Sequence, residues 1–181
     1  MNELYLDIET TGLNPYYDRV TCIGFAFEDD KTIGIIAENE KDILEKFDEL
    51  TKNLEINKVV TWNGDNFDIP FLKVRAKKHN IEFVCGKEMS VDARKLFPKF
   101  SFPYTEQGFF TKVVKVKERE PSLNETAEFF NIPGKLRYGK CAIKLFYKHD
   151  WDDLINYCKR DVSILRSIYK KLKGVSLGID C

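Results

Sequence analysis

LYLDIETTGL, residues 4–13, decides the reading of this chain. Leu4 to Ile8 alternate and run apolar, which predicts a β-strand ending near Asp7–Glu9. Gly12, Asn14 and Pro15 predict a loop from Thr10 to Tyr17. Two positions apart on a strand, Asp7 and Glu9 leave the same face. Carboxylates so placed repel unless a cation lies between them, and the flanks Leu4, Leu6 and Ile8 set them at the lip of a core. Oxygen ligands there suit a hard divalent cation, Mg²⁺ or Mn²⁺. Read alone, a D-x-E pair is also compatible with one solvent-facing carboxylate beside a turn.

Two further stretches carry acids in telling places. In WNGDNFDIPFL, residues 62–72, Asn63-Gly64 makes a tight turn and Asn66 can cap a helix running to His79. Asp68 then lies in the first helical turn, where the helix dipole favours negative charge; it serves there as an ordinary N-terminal acid or as an outer metal ligand. In YCKRDV, residues 157–162, Tyr157 and Asp161 are four apart and share a helix face. That face continues through Ile164, Leu165 and Ile168, so Asp161 is an acid on an apolar stripe, where an uncompensated carboxylate is costly. Asp161 can complete a metal site, and the Tyr157 hydroxyl can orient a water one turn away.

Working outward, Val20–Phe27 and Lys31–Ile36 read as two strands joined by an acidic turn. Asn39 caps a helix over about 40–53, and Lys58–Trp62 is a short strand. A strand at Ile81–Val84 and a short helix at Val91–Phe97 follow. The stretch 97–120 mixes Phe97, Phe100, Phe102, Tyr104, Phe109 and Phe110 with Lys99, Lys112, Lys115, Lys117 and Arg119. It predicts a β-hairpin or an ordered insertion, either gripping a single strand by stacking and charge or covering the core. Ser122 and Glu125 form a capping box for a helix to Phe130, and Trp151 to about Lys173 is the longest helix. The order predicts an α/β fold: a mixed central β-sheet of three antiparallel N-terminal strands followed by parallel strands, flanked by helices.

Composition bounds the function. The 181 residues suit a single domain over 1–181, and 43% hydrophobic content supports a core. Lys+Arg and Asp+Glu balance at 29 each, which argues against a purely electrostatic nucleic-acid binder. Residues 1–70 are acidic and the remainder basic; an acidic half can gather metal ligands and a basic half can meet phosphates, unless folding simply mixes them. The five cysteines include no C-x-x-C pair, and no apolar run approaches the roughly 18 to 20 residues needed to cross a bilayer. The start MNELYLDIET lacks the basic lead of a signal peptide, so the expected location is cytoplasmic.

Taken together, LYLDIETTGL, WNGDNFDIPFL and YCKRDV resemble the motifs of 3′→5′ exonucleases with four acidic residues and a tyrosine (the DEDDy type) on a ribonuclease H-like fold. More closely they resemble the proofreading exonuclease domain of family B DNA polymerases, here as a separate chain. SLNETAEFFNIPGK resembles the helix before the last motif. The resemblance implies hydrolysis with two divalent ions, Mg²⁺ or Mn²⁺, releasing nucleoside 5′-monophosphates from single-stranded 3′ ends, DNA favoured over RNA. It implies that Asp7, Glu9 and Asp161 hold the first ion, that Asp7 bridges to the second, and that Asp68 acts mostly through water. It further implies that Tyr157 positions the attacking water, and that Thr10, Leu13, Asn66 and Phe67 meet the terminal nucleotide. In these 181 residues no polymerase palm, fingers or thumb is expected. The domain itself, with Lys112 and Lys115 as candidates, or a partner from a replication or repair complex must deliver the strand. An exonuclease-fold module docked to such a complex, weakly active or inactive, is the second reading the sequence leaves open.

Overall fold

The computed structural model describes residues 2–28, 30–83, 89–107, 112–134 and 140–176. Its centre is a sheet of five strands: β1 (Asn2–Thr10), β2 (Val20–Phe27), β3 (Ile33–Ile36), β4 (Ile56–Thr61) and β5 (Ser90–Asp92), in the order β3-β2-β1-β4-β5. β1 pairs antiparallel with β2 and parallel with β4; β2 and β3 are antiparallel, and β4 and β5 parallel. This is the mixed sheet expected, with β1 at the point where the sense of pairing changes.

The pleat sorts β1 into two chemistries. Leu4, Leu6 and Ile8 face a core shared with helix α1 (Glu40–Thr51) and helix α2 (Asp68–Lys78). Tyr5 faces the other way, into a core with helix α3 (Leu123–Phe129) and the long helix α5 (Trp151–Ser176). Asp7 and Glu9 share the Tyr5 side by alternation. Helix α4 (Lys140–Tyr147) packs Ala142, Leu145 and Phe146 against Leu154, Tyr157 and Cys158 of α5. In the stretch 97–120, β6 (Phe100–Gln107) and β7 (Lys112–Arg119) pair antiparallel as a separate two-stranded ribbon; the residues that join them lie outside the described residues. No described helix is long and apolar enough to cross a membrane.

Caps account for several boundaries. The Asn39 side chain accepts from Lys41 N–H at the start of α1, and Ser122 and Glu125 form the reciprocal box at α3. Three helices close on a left-handed residue that is not glycine: Asn80 after α2, Asn131 after α3 and His149 after α4. The first of these corrects an expectation. Ile81 N–H is spent on the Ala76 carbonyl at 2.9 Å, and Ile81–Phe83 form no strand; Val84, the last residue of the expected strand, lies outside the described residues. The edge strand comes later, at Ser90–Asp92; the helix expected at Val91–Phe97 is a single 3₁₀ turn, Ala93–Leu96, capped by the Asp92 side chain. Asn66 does not cap α2. The cap position is Phe67, and the Asn66 amide donates to Asn63 Oδ1 instead. Helix α4 has no counterpart in the sequence reading.

Candidate metal centre

One ligand oxygen from each of Asp7, Glu9 and Asp161 lies within 4.8 Å of the other two, and Asp161 is buried. Two elements far apart in sequence create this grouping, and a row of glycines lets them meet. Asp7 on β1 is paired with Gly24 on β2, which is paired with Gly34 on β3. A Cβ at Gly24 would stand 2.8 Å from Cys158 Sγ and 3.0 Å from Val162 Cγ2; one at Gly34 would stand 2.9 Å from Ile155 Cγ2. Both are closer than real Cβ contacts come, so α5 lies against the bare backbone of β2 and β3. That descent brings the Tyr157–Asp161 turn level with Asp7 on the same side of the sheet.

Asp68 stands outside the group of three. It is buried, and its Oδ1 accepts from Ile8 N–H at 3.1 Å, between Asp7 and Glu9. The first turn of α2 is thus tied to the strand that carries the acids. The turn before it is latched in its own way. Asn63 takes a left-handed conformation (φ 68°), its N–H donates to Asp92 Oδ1 at 2.8 Å, and its Oδ1 accepts from Arg94. Asp92 and Arg94 therefore hold the loop that presents Asn66 and Phe67, a role with no local signal in the sequence.

The Tyr157 ring is buried among Leu145 and Phe146 of α4 and Cys22 of β2, so α4 is the wall behind it. Cys158 Sγ approaches Asp7 Oδ2 at 4.0 Å. A hydrogen bond with Cys22, then burial, then the charges of Asp7 and Glu9 push the Cys158 thiol well above its ordinary value. It stays neutral and adds no negative charge to the cluster. Thr10 is buried with its hydroxyl donating to Gly12 O, Asn66 is exposed, Phe67 is half-buried against Phe71, and Leu13 is exposed. Lys112 and Lys115 fall on β7, and their side chains lie outside the described residues.

Three carboxylates at this separation, one of them buried, form an all-oxygen donor set of like charge. Such a set fits a hard divalent cation. The set sits where the parallel strands β1 and β4 end, the edge at which open α/β sheets bind their ligands.

Fold and acids together define an α/β protein with a candidate cation site at the end of its central strand. The family model described as the RNase_H superfamily matches residues 4–173, and the chain belongs to that superfamily, one of nucleases. It is similar to a DNA polymerase of Methanocaldococcus jannaschii, 42% identical over 53 residues, which is 29% of this chain and 3% of the polymerase. An uncharacterised protein of the same archaeon is 37% identical over 82 residues, covering 45% of this chain and 46% of that one. The chain therefore spans less than half the length of these relatives. The solved family B DNA polymerase of Pyrobaculum calidifontis superposes over 95% of this chain and 24% of its own, with a TM-score of 0.70 and 17% identity. At that identity the likeness shows the fold, which is ribonuclease H-like.

Proposed function

We propose that this chain is a metal-dependent 3′→5′ exonuclease that releases nucleoside 5′-monophosphates from single-stranded ends, with DNA preferred to RNA. The observation that carries the reading is the convergence of Asp7, Glu9 and Asp161 at the carboxyl end of β1, with Tyr157 one turn before Asp161. The sequence likeness to DNA polymerases supports DNA as the polymer. The reading takes residues 1–181 as one exonuclease domain acting in the cytoplasm, with a protein of a replication or repair complex as its partner.

In this account Asp7, Glu9 and Asp161 hold the cations, and Asp68, fixed by the Ile8 N–H, reaches them through water. Two divalent ions, Mg²⁺ or Mn²⁺, supply when bound the charge neutralisation that the attacking and leaving oxygens of an in-line displacement require. Tyr157, walled by α4, holds the attacking water by its hydroxyl and limits where that water can stand. Thr10 and the loop after it meet the terminal sugar and base, with Leu13 against the base and Asn66 and Phe67 opposite. The hairpin bearing Lys112 and Lys115 grips the strand further back.

The test is a time course on a single-stranded DNA labelled at its 5′ end, beside the matching RNA, in Mg²⁺, Mn²⁺ or EDTA. A ladder that shortens from the 3′ end, faster for DNA and absent in EDTA, is the expected result. Internal cuts on a circular strand would replace the exonuclease with an endonuclease. No cleavage in any metal would favour the docked, inactive module.

A further inference from the structure

Three strongly exposed large apolar side chains sit together on one loop, and that loop is firmly built. Leu13 is 83% exposed, Tyr16 76% and Tyr17 89%, all between β1 and β2 and beginning four residues after Glu9. Exposure of this kind on a slack loop would mean little. Here the backbone is pinned throughout. Thr11 N–H donates to Arg19 O, and Arg19 N–H to Thr11 Oγ1. Asn14 N–H donates to Asp18 Oδ2, Tyr16 N–H to Asn14 Oδ1, and Tyr17 and Asp18 N–H both to Asn14 O. A Cβ on Gly12 would collide with the Asp18 carboxylate, so the turn has no room to spread.

A buried ion pair fixes the loop to the body. Arg75 on α2 donates from Nε and one terminal nitrogen to both oxygens of Glu40 on α1, at 2.8 and 2.6 Å. Glu40 also accepts from Val20 N–H at 2.7 Å, where the loop enters β2, and lies 2.8 Å from His79 Nε2. The remaining terminal nitrogen of Arg75 donates to Pro15 O at 3.0 Å, inside the loop. Burial raises the Glu40 carboxyl, but the bonds from Arg75, His79 and Val20 outweigh it and leave the group below its ordinary value, ionised at neutral pH. Buried ion pairs are weak sources of net stability; what this one does is hold two backbone groups, Pro15 O inside the loop and Val20 N–H at its end.

We infer that Arg75 is a positioning residue for substrate: with Glu40 it holds the Thr11–Arg19 loop so that Tyr16 and Tyr17, beyond Leu13, form a preformed apolar platform for the upstream bases of the strand whose end lies at the carboxylates. The inference rests on the exonuclease reading. Flat, sequence-tolerant partners with π faces suit exposed tyrosines, and rigidity lowers the entropic cost of binding them. The platform is continuous with the candidate site through Glu9 and Thr10, which fixes the occupant as the single strand itself.

The experiment compares two substrates. One is a single-stranded DNA of about 12 nucleotides; the other is the p-nitrophenyl ester of thymidine 5′-monophosphate, which has no upstream base. Arg75→Lys keeps a cation beside Glu40 but cannot make the fork and the third bond together. Should that variant fold poorly, Tyr16→Ala with Tyr17→Ala removes the platform from an exposed loop instead. In either variant the KM for the oligonucleotide should rise about tenfold, and kcat/KM should fall at least about fivefold further on the oligonucleotide than on the ester. Equal losses on both substrates, or an unchanged oligonucleotide KM in the tyrosine variant, would overturn the inference. Anisotropy of a labelled strand in EDTA separates this result from the exonuclease reading. A wild-type chain that binds the strand through Tyr16 and Tyr17 yet hydrolyses neither substrate would sink the exonuclease and keep the platform.

Discussion

Glu3 and Asp7 stand on the same face of one strand, and the chain treats them in opposite ways. Glu3 is buried at the first end of β1, where Tyr5 OH donates to it at 3.0 Å and Lys58 and Lys173 both bond it. Burial alone would raise its carboxyl; bonds from Lys173, Lys58 and Tyr5 hold it below the ordinary 4.5. Both lysines also lie over the Tyr169 ring, tying α5 to the sheet. At the other end Asp7 is grouped with two more carboxylates, Glu9 and Asp161. One end of the strand carries an acid bonded by two lysines, and the other carries an acid grouped with two more acids, where the proposed function puts a cation. The contrast distinguishes an acid paired with lysines from an acid clustered with other acids, which burial does not do.

Mutations at the two ends should therefore diverge. The largest effect is expected from Asp161→Ala, which removes a cation ligand: hydrolysis should fall by on the order of a thousandfold or more, while a melt in EDTA shows an equal or higher Tm because repulsion is relieved. Near-normal turnover would remove Asp161 from the site. Tyr157→Phe should slow hydrolysis by about ten- to a thousandfold, the usual range for a general acid–base group, with Mn²⁺ affinity retained. Single-turnover kinetics would show it, and an unchanged rate would leave the hydroxyl without a catalytic part.

Gly24→Ala tests the device that joins the acids. The new methyl must displace α5, so a loss of about 1–3 kcal/mol in urea unfolding should accompany reduced turnover. Stability and rate that both match the wild type would mean α5 does not need the bare strand. The smallest effect falls at the compensated end. Glu3→Gln should cost about 1–3 kcal/mol by leaving two partly exposed lysines less well paired, with hydrolysis close to wild type. Because the folded carboxyl titrates below 4.5, the contribution of Glu3 is complete above that pH and fades as pH falls through its folded value. Melts between about pH 6 and 3 should accordingly converge for wild type and Glu3→Gln as acid increases. A gap that stays constant would mean the pairing carries no stability.

Local chemistry was readable in advance, and long-range chemistry was not. The spacing of Asp7 and Glu9 on a strand and of Tyr157 and Asp161 on a helix announces shared faces, and the order of elements announces the mixed sheet. Asn39, Ser122 and Glu125 announce their helix starts. No strand forms at Ile81–Phe83, because an apolar run cannot reveal that its first N–H is spent closing α2. Helix α4 is eight residues long, and only the spacing of Ala142, Leu145 and Phe146 marks it. Gly24 and Gly34 look like ordinary strand glycines until α5 is laid on them. The Arg75–Glu40–Pro15 chain joins residues 35 and 60 positions apart, beyond any motif.

The central claim is that the chain leaves the Asp7 end of β1 for a divalent cation to complete. Calorimetric titration of Mn²⁺ into the metal-free protein and into Asp161→Ala tests it most directly. The account predicts saturable binding in the wild type that is lost or greatly weakened in the variant, with a Tm that rises with Mn²⁺ only in the former. Equal binding by the two proteins, or none by the wild type, would contradict it.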